Sequence, residues 1–140
     1  MAAIPSSILG LDVGDRRVGV AAVSLASRLP RPLTTLVRDD TFFDTLQALI
    51  TSEEPDLLVV GLPRNLSGER TAQTQTTEAF AAELAQRYGL PVKFQDEAVT
   101  SKQAEAELKA RGKDYRRGDI DALAAVYILE DYLANNQEAS

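Results

Sequence analysis

Ile8-Leu9-Gly10-Leu11-Asp12-Val13, followed by Gly14-Asp15-Arg16-Arg17 and then by Val18-Gly19-Val20-Ala21-Ala22-Val23, is the stretch that decides how this chain folds. Two short apolar runs on either side of a Gly-Asp turn predict an antiparallel hairpin. Asp12 breaks the first run. Burying an unpaired carboxylate on a strand costs on the order of several kcal/mol, enough that the group takes up a proton unless a cation or hydrogen-bond donors meet it. Asp12 therefore needs a partner. A neighbouring turn supplies one at many strand ends; at a functional site the partner is a bound cation.

Outward from the hairpin, Pro32-Leu33-Thr34-Thr35-Leu36-Val37 alternates as a third antiparallel strand that Arg38-Asp39-Asp40 ends. Thr41 with Asp44 predicts a capping-box start, and Phe42, Leu46, Leu49 and Ile50 recur at helical spacing until Glu53-Glu54-Pro55. Leu57 to Leu62 is short and continuously apolar, the pattern of a parallel strand covered on both faces. A polar loop from Pro63 to Arg70 leads to a long helix, with Ala72, Thr76, Phe80 and Leu84 on one face and Gly89 and Pro91 closing it. Strand Val92-Lys93-Phe94-Gln95 ends on Asp96-Glu97; Thr100 with Gln103 opens a helix to about Gly112. The basic loop from Lys113 to Gly118 precedes a last helix from about Asp119 to Ala134, and the polar tail 135–140 is expected to fray. Three meander strands followed by alternating helix and strand predict an α/β fold: a mixed sheet of about five strands, three antiparallel and then parallel, with helices on both faces.

At 140 residues and 44% hydrophobic, the sequence reads as one domain, 1–140, with a core of its own. It has no span of membrane length and no N-terminal signal pattern, which together with the lack of cysteine points to the cytoplasm. Histidine is absent too, which excludes Ser-His-Asp hydrolysis and nearly all zinc hydrolase geometries. Carboxylates are left as the main catalytic groups, and clustered carboxylates suit Mg²⁺ or Mn²⁺. A net charge of −6 argues weakly against a broad nucleic-acid face, although a local basic stripe fits under an acidic total.

In open α/β sheets the cleft lies beyond the carboxyl ends of the parallel strands. Asp12 and the Asp96-Glu97 pair both reach that edge. Asp121 has Ala124, Ala125 and Ile128 as its helical neighbours, so its side chain is expected to face the sheet. Asp119, two residues earlier and roughly 200° around the helix, serves better as a cap. Each acid alone has an ordinary explanation as a helix-end or strand-end group. Together, on three elements of a chain without His or Cys, they point to an all-oxygen metal site.

The hairpin from Ile8 to Ala21, Val60-Gly61-Leu62-Pro63 with Asn65 and Gly68, Asp96-Glu97 with Thr100-Ser101, and Asp119 to Ala125 together resemble the YqgF/RuvX family, over nearly the whole chain and in the right order. That family is similar to RuvC-type Holliday junction resolvases, has the RNase H-like fold and is assigned to pre-16S rRNA processing. The resemblance implies Asp12, Glu97 and Asp121 as catalytic, metal-binding acids. In one place the chain departs from the pattern: Ala98 stands where the family usually has Arg, which puts a phosphate contact there in doubt. Arg64, Arg70 or Arg116 are candidates to replace it.

The reading is thus a divalent-metal-dependent phosphodiesterase with two ions, Mg²⁺ or Mn²⁺, that acts on RNA or on single-stranded or branched DNA. Arg16, Arg17, Lys109, Arg111, Lys113, Arg116 and Arg117 are candidates to position the nucleic-acid backbone, with Lys102 a weaker one. The rivals are a Holliday junction resolvase, a non-catalytic nucleic-acid-binding module, and an ATP-binding fold suggested by Asp12-Val13-Gly14 with Gly19; the last would need a second domain around the nucleotide. With four Phe, four Tyr and most apolar positions already on core faces, a monomer or weak homodimer is expected.

Overall fold

The computed structural model describes residues 6–63, 71–97, 106, 109–110 and 117–136, with the backbone alone for 117–119. Five strands form one sheet: β1 (Ser7–Val13), β2 (Arg17–Ser24), β3 (Arg31–Val37), β4 (Leu57–Pro63) and β5 (Val92–Glu97), in the order β3-β2-β1-β4-β5. β1 and β3 flank β2 antiparallel, whereas β4 runs parallel to both β1 and β5. Helices α1 (Phe42–Glu53) and α2 (Ala72–Tyr88) cover one face, and α3 (Arg117–Asn135) covers the other. The expected α/β sheet with helices on both faces is therefore present. No helix among the described residues is long and apolar enough to cross a membrane.

The pleat divides β1 between two cores. Leu9 and Leu11 pack with Phe42, Leu46, Phe80 and Leu84 under α1 and α2, and Ile8 joins Val59, Ala125, Ile128 and Leu129 under α3. Even-numbered residues of β1 thus face α3, and Asp12 is one of them. In β4 the odd-numbered positions face α3, which makes Leu57 to Leu62 apolar on both sides, as a central strand requires.

The helix α3 lies unusually close to the sheet because three glycines floor its path. Side chains are absent at Gly19 of β2, Gly10 of β1 and Gly61 of β4. A Cβ at Gly19 would overlap the backbone carbonyl of Asp121; at Gly10 it would collide with Leu129, and at Gly61 with Ile128. A glycine inside a strand is costly unless backbone or helix must approach closely, and here it must.

Several local expectations need correction. Thr41 makes no side-chain cap to α1; its hydroxyl and N–H both donate to Asp39 Oδ1, at 2.7 and 2.9 Å, so the preceding aspartate organises this helix start. α1 ends on Glu54 in the left-handed region (φ 50°), with Pro55 barring continuation. In α2, Ala72 and Thr76 are exposed, and the buried face is Thr74, Thr77, Phe80, Ala81 and Leu84. Thr74 enters this face because its hydroxyl is bonded: it closes a capping box with Thr71, and its Oγ1 donates to the Pro63 carbonyl at 2.6 Å, tying the start of α2 to the end of β4. The helix expected from Thr100 to Gly112 lies outside the described residues except for 106, 109 and 110, which are helical. So does the tail beyond 136.

A Gly19→Ala substitution should lift the first turns of α3 from β2. Overpacking of this kind costs about 1–3 kcal/mol, and because the clash is with backbone the loss belongs at the upper end. Chemical denaturation of the variant measures it; a stability equal to the parent's would mean that the helix has room the structure does not show.

Candidate active site

At the carboxyl end of β1, Asp12 is registered opposite Gly19, and the bare surface over Gly19 is where the α3 backbone at Asp121 comes down. The two aspartates meet because one strand lacks a side chain. Ala124, Ala125 and Ile128 are fully buried against the sheet, so the helical face read from the sequence does turn Asp121 inward. Only 16% of its side chain is exposed.

The electrostatic result is visible at Asp12. Burial, and then the charge of Asp121, push its carboxyl up from 3.8 to about 6. Two carboxylates in a poorly solvated corner resist joint ionisation, and a cation between them would relieve that cost.

Glu97 approaches from the other side. β5 does not stop at Gln95; Asp96 and Glu97 remain paired with Leu62 and Pro63 of β4, so they point to opposite faces. Glu97 takes the α3 side: a Cβ on Gly61 would sit 3.7 Å from its Cγ, and its Oε1 is sealed from solvent. Asp96 is exposed on the α2 side of the sheet edge. Pairing geometry thus separates two acids that the sequence left equivalent.

Asp12, Glu97 and Asp121 accordingly share one face of the sheet, at the cleft edge. Among the described residues, however, no three carboxylates stand close enough to form a ready metal cage. Asp121 is engaged elsewhere, because Arg17 donates from Nε to its Oδ2 at 2.8 Å. The donor set fits a hard divalent ion in its chemistry: all oxygen and partly buried, with Asp12 raised in proton affinity by burial first and by the charge of Asp121 second.

The basic candidates fall into separate groups. Arg16 is exposed at the tip of the β1–β2 turn, Arg17 pairs with Asp121, and Lys109 is exposed on a helical residue. Arg64, Arg70, Lys102, Arg111, Lys113 and Arg116 lie outside the described residues, and of Arg117 only the backbone is described. One positioning residue was missed. Arg38 donates its Nη1 to the Gly14 carbonyl and its N–H to the Arg16 carbonyl, both at 2.8 Å, and its guanidinium stacks 4.4 Å from the Phe80 ring. It clamps the turn that carries Arg16 and Arg17 onto the α2 side. Nothing in the run Arg38-Asp39-Asp40 announces this, whereas Gly19 and Gly61, each within an apolar strand, did carry a legible sign of close approach.

Residues 6–135 match the family model described as RuvX, Holliday junction resolvase. The chain belongs to the RuvX family. Among its relatives is a protein of Lactococcus lactis subsp. cremoris named "Putative pre-16S rRNA nuclease", 39% identical over 90% of this chain and 92% of its own. A protein of the same name from Nitratidesulfovibrio vulgaris is 40% identical, over 93% and 94% of the two chains. Solved structures share the fold. Thermus thermophilus RuvC in complex with a Holliday junction substrate aligns with TM-score 0.57 at 18% identity, over 93% of this chain and 96% of RuvC. The yeast mitochondrial Holliday junction resolvase Ydc2 aligns with TM-score 0.53 at 12% identity, over 99% and 82%. The RNase H-like expectation for this RuvX-family chain therefore stands.

The raised Asp12 carboxyl fixes the sign of a pH effect. Its folded-state value exceeds its unfolded one, so ionising it opposes folding: the cost is absent below about pH 4, grows as pH rises toward 6 and is complete above. Asp12→Asn should therefore stabilise the metal-free protein at pH 8, by on the order of 2–3 kcal/mol, and leave it nearly unchanged at pH 4. Denaturant midpoints at the two pH values measure this. An equal effect at both would remove ionisation of the buried Asp12 carboxyl as the cause.

Proposed function

We propose that this protein is a divalent-metal-dependent nuclease that hydrolyses phosphodiester bonds in the 5′-end processing of pre-16S rRNA in the cytoplasm. The observation that carries the reading is the meeting of Asp12 and Asp121 beneath α3, with Glu97 on the same face, in a chain whose relatives bear a nuclease name and whose fold is that of resolvases. Asp12, Glu97 and Asp121 would hold two ions, Mg²⁺ or Mn²⁺. When bound, such ions supply a Lewis acid and an activated water for in-line displacement at phosphorus.

The chain's own residues define the rest. The low-polarity floor of glycine and aliphatic side chains keeps water away from the carboxylates and strengthens their pull on a cation. Arg16, held outward on the clamped turn, would contact the phosphate backbone, as would the basic residues from Arg111 to Arg117. These contacts position a strand without reading its sequence. One active site per chain suffices to trim or nick a single strand, whereas symmetric cutting of a four-way junction needs two sites about a two-fold axis. A monomer or weak dimer that prefers single-stranded RNA or DNA follows.

Purified protein should cleave single-stranded RNA carrying the 16S leader with Mn²⁺ or Mg²⁺, and not with EDTA. Glu97→Gln should abolish cleavage, as should Asp12→Asn, and combining the two should cost nothing further because they act as a unit. Asp96→Asn should cut normally. Loss of activity in Asp96→Asn with retention in Glu97→Gln would overturn the site assignment, and paired, symmetric cuts in a four-way junction by a tight dimer would make resolvase the correct activity.

A further inference from the structure

Arg17 and Asp121 lie 104 residues apart, yet they are joined at 2.8 Å. The contact is single: Nε donates to Oδ2, and among the described residues the two Nη groups make no other hydrogen bond. A guanidinium that recognises a carboxylate for structural strength usually does so through two parallel bonds, and this one does not. The Arg17 side chain is also 34% exposed, against 16% for Asp121, so the cation sits on the solvent side of the acid. Arg17 is the first residue of β2, directly after a turn whose backbone Arg38 holds from behind. Its backbone is thereby held on a clamped turn while its side chain remains partly exposed to solvent.

We propose that Arg17 is a displaceable internal counter-cation: it occupies Asp121 when the site lacks a divalent ion, and the ion must evict it to complete its ligand set. This rests on the proposed metal-dependent reading and adds to it the identity of the group that guards the site. It gives Asp121 a partner of opposite charge in the arrangement where no three carboxylates among the described residues stand close enough to form a ready metal cage. A one-point, partly exposed pair is weak, so exchange for a doubly charged ion is favourable and reversible. Eviction leaves the guanidinium at the cleft mouth with all its N–H donors available.

The test uses the full chain, labelled with ¹⁵N, and Mg²⁺ as the probe. In EDTA the Arg17 Nε–H resonance, assigned by its loss in Arg17→Lys, should be protected from solvent exchange, and Asp121→Asn should remove that protection. Titration with Mg²⁺ should abolish protection in the parent protein in step with the calorimetric binding isotherm. Arg17→Gln should bind Mg²⁺ roughly twofold to fivefold tighter, the factor expected for removal of one exposed ion pair. Lys93→Gln, which makes the same change in net charge, should bind as the parent does. Persistent protection of Arg17 at saturating Mg²⁺ would overturn the displacement while leaving metal binding intact. Absence of any Mg²⁺ binding to the parent would instead remove the metal-dependent reading, and the displacement with it.

Discussion

The approach of the α3 backbone to Gly19 is the constraint on which the rest of the structure depends. It brings an aspartate from near the end of the chain to one near its beginning, across a surface that any side chain would block. The same descent seats Ala125, Ile128 and Leu129 on Gly10, Gly61 and Val59, so the packing that stabilises this half of the protein also sets the position of Asp121. Site and core are built by one contact. A change that loosened α3 would cost stability and disperse the acids together.

The price of this arrangement is electrostatic. Asp12 is held where its ionised form is disfavoured, and stability is sacrificed at neutral pH to keep two carboxylates together. Such tension is common at sites shaped to bind a ligand. Arg17 relieves part of it at Asp121 through its 2.8 Å contact, with a cation that belongs to the chain itself. In this view the charge of Asp121 is compensated from within the chain, by a group weak enough to give way.

Much of this was legible in the sequence because it depended on short-range periodicity. The hairpin, the doubly buried β4 and the inward face of α3 all follow from the spacing of apolar residues, and Asp121 inherits its direction from Ala124, Ala125 and Ile128. The choice between Asp96 and Glu97 was not open to a reading of the residues alone. It depends on whether β5 continues two residues past Gln95, which is fixed by pairing with Leu62 and Pro63 rather than by local composition. The family resemblance implies Glu97, and the register places that residue on the α3 face. The buried face of α2 was misplaced for a similar reason: Thr74 is polar in sequence and becomes a core residue only once the Pro63 carbonyl is there to accept its proton. The Arg17–Asp121 pair and the Arg38 clamp are likewise tertiary, and no pattern within a window of sequence contains them.

The central claim is that the sheet face under α3 presents Asp12, Glu97 and Asp121 as one hard-cation site. Crystals of the protein grown with Mn²⁺, measured for anomalous scattering at the manganese edge, test this directly. The account predicts an anomalous peak bounded by carboxylate oxygens of all three residues. Mn²⁺ bound elsewhere on the chain, with these three acids unliganded, would contradict it.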